Sequence, residues 1–473
     1  MTTLSISNNV KKDKLIWLGL LAFQVIVILL YALELSLFLI PPTLVILFFF
    51  FISDFRYCLY WFIFSLFLGV GLFPGWGIKV ADFILGILIL SYLAKGALGG
   101  KISLLKTPFD KTILTFLSVL AISLVNPVDL SIGFVNFFRH VQLFLLFYVL
   151  QSELEGGEVK KFLQFFLFMS VIHSIYNLSL FVWHAGKIRA FGFAGVPFAD
   201  MLVASLIISY SFFLFQSNDQ KRLIYAMVFF ILLGALFATQ TRGALISFFL
   251  SYIFVSIIAL KKRGIMNSLI VYRNFWIVTI LLVAILFIVS LSFQPLVASL
   301  SHRYYSLYQL PTTGAQETIG LRFFLWDAAW KAFLTHPFLG IGIGQFRAVQ
   351  LIIPSLRFSP LFQDVIGLDT HNIILSYLSE TGLLGLSILL YFMLSYLKFG
   401  WGSYKNSFNK RDLSISTSLL GILFFITASS FYAGAWYHGL NGMAFMFFLA
   451  LTVVFHRSQM PQRQIKDPSE FTK

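Results

Sequence analysis

RLIYAMVFFILLGALFATQTRGALISFFLSYIFVSIIALKK, residues 222–262, holds two apolar runs, 222–239 and 243–260, divided by a short polar turn and bounded at both ends by basic residues. Each run is close to the roughly 20 residues that a helix rising 1.5 Å per residue needs to cross about 30 Å of hydrocarbon. Neither alternates polar with apolar, as a strand of a membrane barrel would. The stretch therefore reads as a helical hairpin through a bilayer, with Lys221–Arg222 and Lys261 onward on one side and Arg242 on the other.

The same pattern repeats along the chain. Spans are expected near 15–34, 37–53, 57–74, 79–95, 111–127, 132–150, 162–184 and 199–216 before the hairpin, and near 275–293, 377–398, 413–431 and 438–456 after it. The fold class is all-α, a polytopic integral membrane protein with about 12–14 transmembrane helices. Composition agrees: with 59% hydrophobic and 11% charged residues and a mean hydropathy of +0.88, the chain has too little charge to coat a water-soluble body of this size. The run from 15 is too long for a signal-peptide core and lacks an Ala-x-Ala-like site, so it is expected to stay as a first span.

A formal charge of +15 would suit nucleic acid, but the Lys and Arg residues are scattered through short loops rather than gathered in one basic domain. They obey the positive-inside rule instead. Lys11–Lys14, Arg56, 95–111, Lys160–Lys161, Lys221–Arg222, 261–273, 398–411 and the tail after His456 alternate with loops near 72–78, 127–131 and 432–437 that hold almost no positive charge. Both termini then lie in the cytoplasm. A single cysteine, Cys58, permits no intramolecular disulfide and no multi-cysteine metal site.

Four divisions follow: an N-terminal helical bundle, 1–293; a large extracytoplasmic loop, 294–376, with amphipathic helices; C-terminal transmembrane helices, 377–456; and a basic cytoplasmic tail, 457–473. Within the loop, LRFFLWDAAWKAF has helical apolar spacing, so a folded cap with a helix near the membrane interface is expected.

On this topology the unusual polar residues gather on the outer face. Arg189, Arg242 and Arg322 each offer a planar fork that matches phosphate oxygens bidentately; the plainer reading of any one of them is an interfacial anchor. DTHNIILSYLSETGLLG starts a helix where the outer loop re-enters the membrane. Asp369 or Thr370 is expected as its N-cap, with His371 in the first helical turn, where an imidazole can accept a proton from a hydroxyl. Arg139 and His140 fall inside a span, at a cost of about 2.5–3.5 kcal/mol for an arginine at mid-membrane. They should face a cavity or a partner helix, with Asp82 as a counter-ion. GIGIG, 340–344, lacks the preceding strand and the remaining Walker residues, and is read as a turn. Histidines with metal-ligand spacing are absent, and no metal or cofactor is expected.

KIRAFGFAGVPFAD (187–200), TRG (241–243), LRFFLWDAAW through HPFLGIGIGQF (321–346) and HNIILSYLSETGLLG (371–385) resemble the O-antigen ligase and polymerase superfamily of bacterial membrane glycosyltransferases. That resemblance implies a lipid-linked sugar transferase (GT-C-like) fold in the inner membrane with a periplasmic active site. It implies a polyprenyl-pyrophosphate-linked glycan, such as one on undecaprenyl pyrophosphate, as donor, and a glycan or glycolipid acceptor of the lipopolysaccharide kind. By matching motifs His371 falls on the family's catalytic base and Arg189 and Arg242 on its pyrophosphate-binding arginines, while Arg322 matches the arginine before the tryptophan pattern, here Trp326, and is a further candidate for the pyrophosphate; transfer would be metal-independent and inverting. Lys187, Asp200, Asp369, Asn372, Glu380 and Arg139 are supporting candidates. Relatives often carry Asn-Pro-Asn where this chain has Val196-Pro197-Phe198, so that any role of that asparagine is lost or moved to Asp200. Beside ligase activity stand a repeat-unit polymerase and a lipid-linked glycan transporter.

Overall fold

The computed structural model describes residues 55–69, 79–97, 105–125, 127–184, 189, 191, 193–263, 318–349, 367–432 and 439–460. Their regular structure is helical, with no β-strand. In chain order they form α1 (Phe55–Leu66), α2 (Val80–Ala97), α3 (Asp110–Ile122), α4 (Leu130–Glu153), α5 (Val159–Trp183), α6 (Pro197–Phe215), α7 (Asp219–Ala238), α8 (Arg242–Arg263), α9 (Thr318–Thr335), α10 (Ile373–Lys405), α11 (Lys410–Ser429) and α12 (Gly439–Gln459). Among the described residues, α4 to α8 and α10 to α12 are long and apolar enough to cross a membrane, which makes the chain a polytopic membrane protein. Each of these eight coincides with an expected span. The spans expected at 15–34, 37–53 and 275–293, and residues 294–317 and 350–366 of the large loop, lie outside the described residues.

The helices run to and fro between two ends of one bundle. At one end Arg457 donates to the carbonyls of Gln151 (3.2 Å) and Lys106 (2.8 Å), and Lys262 to those of Lys405 (3.0 Å) and Ser407 (2.9 Å). Gln164 there reaches the Tyr225 hydroxyl at 3.0 Å. This basic end collects the start of α3, α5 and α7 and the close of α4, α8, α10 and α12. At the other end the Ile373 N–H donates to the Ser430 carbonyl (2.9 Å), Asn441 to Asp200 (2.7 Å) and the Asp129 N–H to Gln345 (2.9 Å).

α6 is buried around its whole circumference from Met201 to Phe215, as expected of an apolar helix lacking a polar face. In lipid, burial of apolar surface between helices gives little drive, so packing and hydrogen bonds must hold the helices together. α6 accordingly bonds to each neighbour: Ser205 to Ser170 on α5, Ser209 to the Tyr225 carbonyl on α7 (2.7 Å) and Tyr210 to Ser256 on α8 (2.8 Å). The outer helices instead leave Leu114, Phe138, Val182 and Leu394 exposed, apolar surface that lipid would solvate.

α10 is broken near its first third. Gly382 has φ 66° and ψ −163°, a conformation open essentially to glycine alone. The turn 336–346 is sewn into the gap: Ile341 and Gly342 N–H donate to the Ser379 and Glu380 carbonyls (3.0 and 2.9 Å), while Leu383 N–H donates to the Pro337 carbonyl (2.9 Å). Backbone groups freed by the break are thus satisfied by the turn, as irregular backbone inside a membrane bundle requires. A side chain at Gly340 would strike the Glu380 carbonyl, and one at Gly382 the Phe338 backbone. GIGIG is therefore a turn, as its sequence indicates, and its glycines serve this close approach. Gly382→Ala is expected to destabilise the protein by at least about 1–3 kcal/mol, visible as a lower melting midpoint in detergent; an unchanged midpoint would contradict this account of the break.

Three expectations change in detail. The span expected at 57–74 is helical only to Leu66, after which Phe67 enters a turn. The span expected at 111–127 ends its α-helix at Ile122 and finishes as a 3-10 turn, Ser123–Val125. The N-cap of α10 is neither Asp369 nor Thr370 but Asn372, whose side chain accepts the Leu375 N–H at 3.1 Å. His371 consequently precedes the helix instead of lying in its first turn.

Candidate functional site

α9 carries the apolar stripe Leu325, Ala328, Ala329 and Ala332, which packs on Ile341, Phe346, Val349 and Leu375 in a small second core. The helix expected in the large loop is thus folded onto the bundle. Arg322 and Trp326, four residues apart, share a face. The Trp326 indole N–H donates to the Thr370 carbonyl at 3.0 Å, while Arg322 lies close enough to His371 for its charge to act there. The spacing of arginine and tryptophan in LRFFLWDAAW therefore places a cation beside the histidine and ties down the backbone that carries it.

His371 has φ 51°, a left-handed conformation uncommon outside glycine, although histidine is among the residues enriched there. It is held from both sides. The Thr370 hydroxyl donates to the Asn372 carbonyl at 2.7 Å and accepts the Asn372 N–H at 3.2 Å, and Asn372 caps α10. Such strain persists where the surroundings over-determine it, which occurs at functional sites.

Thr241-Arg242-Gly243 opens α8 at the same end. Arg189 donates through Nε to the Thr239 carbonyl (3.1 Å) and through Nη2 to the Thr241 hydroxyl (3.2 Å), and its guanidinium stacks over the Phe191 ring at 4.1 Å. Gly243 leaves the space in which the Tyr432 ring lies. Thr241 thus seats one arginine, Gly243 admits a tyrosine, and Arg242 between them bears electrostatically on Arg322.

Burial, then the charge of Arg322, lower the His371 pKa from its usual value, while Asp369 opposes them. Burial also lowers that of Arg322, with Arg242 adding to the effect and Tyr432 opposing it. The result is a half-buried imidazole biased toward its neutral, proton-accepting form and bordered by cations that repel one another. An arrangement of this kind suits a ligand with several negative oxygens.

The structure thus brings His371, Arg322, Arg242 and Arg189 to one end of the bundle from four separate segments. Asp369 is beside them and forms a two-bonded ion pair with Arg347, at 2.9 and 3.0 Å. Asn372 caps α10. Asp200, in the first turn of α6, accepts from Asn441. Glu380 is buried and accepts the Phe346 N–H at 3.0 Å. Lys187 lies outside the described residues. Arg139 and His140 have separate surroundings: His140 bridges α4 and α10 through Tyr377 (2.7 Å), whereas Arg139 lines a cavity of about 500 Å³ with Asp82 and Glu380. Asp82 accepts the Lys79 backbone N–H at 2.9 Å, and no ion pair joins it to Arg139. Sequence reasoning passed over Tyr432, one of 19 tyrosines, because nothing local marks the ring that contacts Gly243.

Residues 227–390 match the family model of O-antigen ligase. The match includes Arg242, Arg322, His371 and the sewn-in turn; Arg189 precedes it. No curated protein matches the chain significantly.

Proposed function

From the O-antigen ligase domain at residues 227–390, we propose that this membrane protein transfers a glycan from a polyprenyl-pyrophosphate carrier to a hydroxyl of a glycolipid acceptor, on the outer face of the bacterial inner membrane. The observation that carries the reading is the convergence of His371 with Arg322, Arg242 and Arg189 at one end of the bundle. Its sidedness is supported by the opposite end, where Lys106, Lys262, Lys405 and Arg457 cluster as cytoplasmic loops should.

In the proposed step His371 accepts the proton of the acceptor hydroxyl. The oxygen forms a bond to the anomeric carbon as the bond from that carbon to the carrier pyrophosphate breaks. The electron pair leaves on the pyrophosphate, and attack opposite the leaving group inverts the centre. The three guanidiniums, rather than a metal ion, are assigned the charge that accumulates there. The polyprenyl tail stays in lipid beside the bundle.

Purified protein should move glycan from a defined carrier-linked donor to a lipid A core acceptor in detergent. Product on a second carrier-linked glycan instead would make the protein a repeat-unit polymerase. Vectorial movement in vesicles without bond transfer would make it a transporter and remove the assignment.

A further inference from the structure

The cavity beside the site descends into the bundle. Glu380 lies seven residues and Arg139 nine residues inside their helices, about 10–14 Å below the end that bears His371. Its walls include Lys79, Asp82, Asn136, Arg139, Arg347, Asp369 and Glu380, and its volume of about 500 Å³ is that of a small-ligand pocket. Each carboxylate is already engaged: Asp82 by the Lys79 N–H, Glu380 by the Phe346 N–H and Asp369 by Arg347. Two of the cations, Lys79 and Arg139, are not bonded in the same way, although the charge of Asp82 acts on Lys79. Among the described residues neither the Lys79 ammonium nor the Arg139 guanidinium makes an ion pair or a side-chain hydrogen bond. Asp82 and Arg139 both lie close enough to Lys79 for their charges to act on it. Two half-buried cations with donors to spare suit an oxygen-rich anion.

We propose that Lys79 and Arg139 form a second anion site, separate from the arginines around His371, which holds a phosphate or carboxylate group on the acceptor glycan. The inference rests on the transferase reading for the identity of its ligand. Continuity supports it: Asp369 belongs to the cavity wall and lies two residues before His371. A glycan anchored below would present a hydroxyl to the imidazole above.

Binding of glucose 6-phosphate is measured by calorimetry in uncharged detergent. The Arg242→Gln protein serves as background, which weakens binding at the arginines near His371, and the difference made by a cavity substitution reports the cavity. Adding Arg139→Gln or Lys79→Gln should weaken binding about tenfold or more, with free glucose bound weakly in every variant. A parallel arm uses dihexanoyl phosphatidylglycerol. The tenfold pattern with this lipid alone would overturn the assignment to a substrate glycan in favour of a headgroup. Unchanged binding of both ligands in both variants would overturn the site. Lys79 precedes its helix, so Lys79→Gln carries the test if Arg139→Gln fails to fold. Failure of the transferase reading would appear differently, as absent transfer with this binding pattern intact.

Discussion

His371→Ala is expected to lower transfer by about 10²–10⁴-fold, the usual contribution of a general base, with the protein still inserted and folded. Because His371 is left-handed at φ 51°, alanine adds a backbone penalty. His371→Asn tolerates that conformation better and should lose activity equally, which separates loss of the base from loss of the fold. The pH dependence gives a second check. The imidazole works when neutral, so activity falls as pH drops through its pKa, which burial and Arg322 place below the ordinary value near 6.5. Arg322→Gln removes a charge that disfavours protonation, so the acid limb of kcat/KM should move to higher pH, whatever happens to its height. Asp369→Asn removes the opposing charge and should move the limb to lower pH. Wild-type turnover by both His371 variants would remove the base assignment.

Arg242→Gln is expected to reduce kcat by about 10²–10³-fold, the cost of losing one preorganised donor where leaving-group charge develops. Arg242→Lys keeps the charge but loses the planar two-pronged fork, so it should recover only part of that loss. Both changes begin α8 without touching Gly243, and the seat of Tyr432 is preserved. Single-turnover assays with a carrier-linked donor measure the effect. If lysine restores full activity, the guanidinium does not grip a pyrophosphate in two-pronged fashion, and an interfacial anchor would explain Arg242 better.

Much of this architecture is written in short-range pattern. The hairpin at 222–262 shows its two helices, its basic ends and its polar turn in one reading, because lipid demands a long apolar run wherever the chain crosses. The same demand exposed Arg139 as anomalous. Pattern faltered where the competing influence was local hydrogen bonding. The start of α10 was misplaced by two or three residues because Asp369, Thr370 and Asn372 are all competent caps; Asp369 is drawn away by Arg347, which leaves the cap to Asn372.

The sequence by itself determined that the chain is a helical membrane protein, where most of its helices run, and which arginines and histidine deserve scrutiny. Only the tertiary structure decided that Arg322 from α9 borders His371, that Tyr432 lies against Gly243, that the GIGIG turn fills the break at Gly382, and that Arg139 and Lys79 face one cavity. The reason is physical. Hydropathy acts on each segment separately through the bilayer, whereas these contacts join residues tens to hundreds of positions apart, and packing between helices selects them with no periodic trace along the chain.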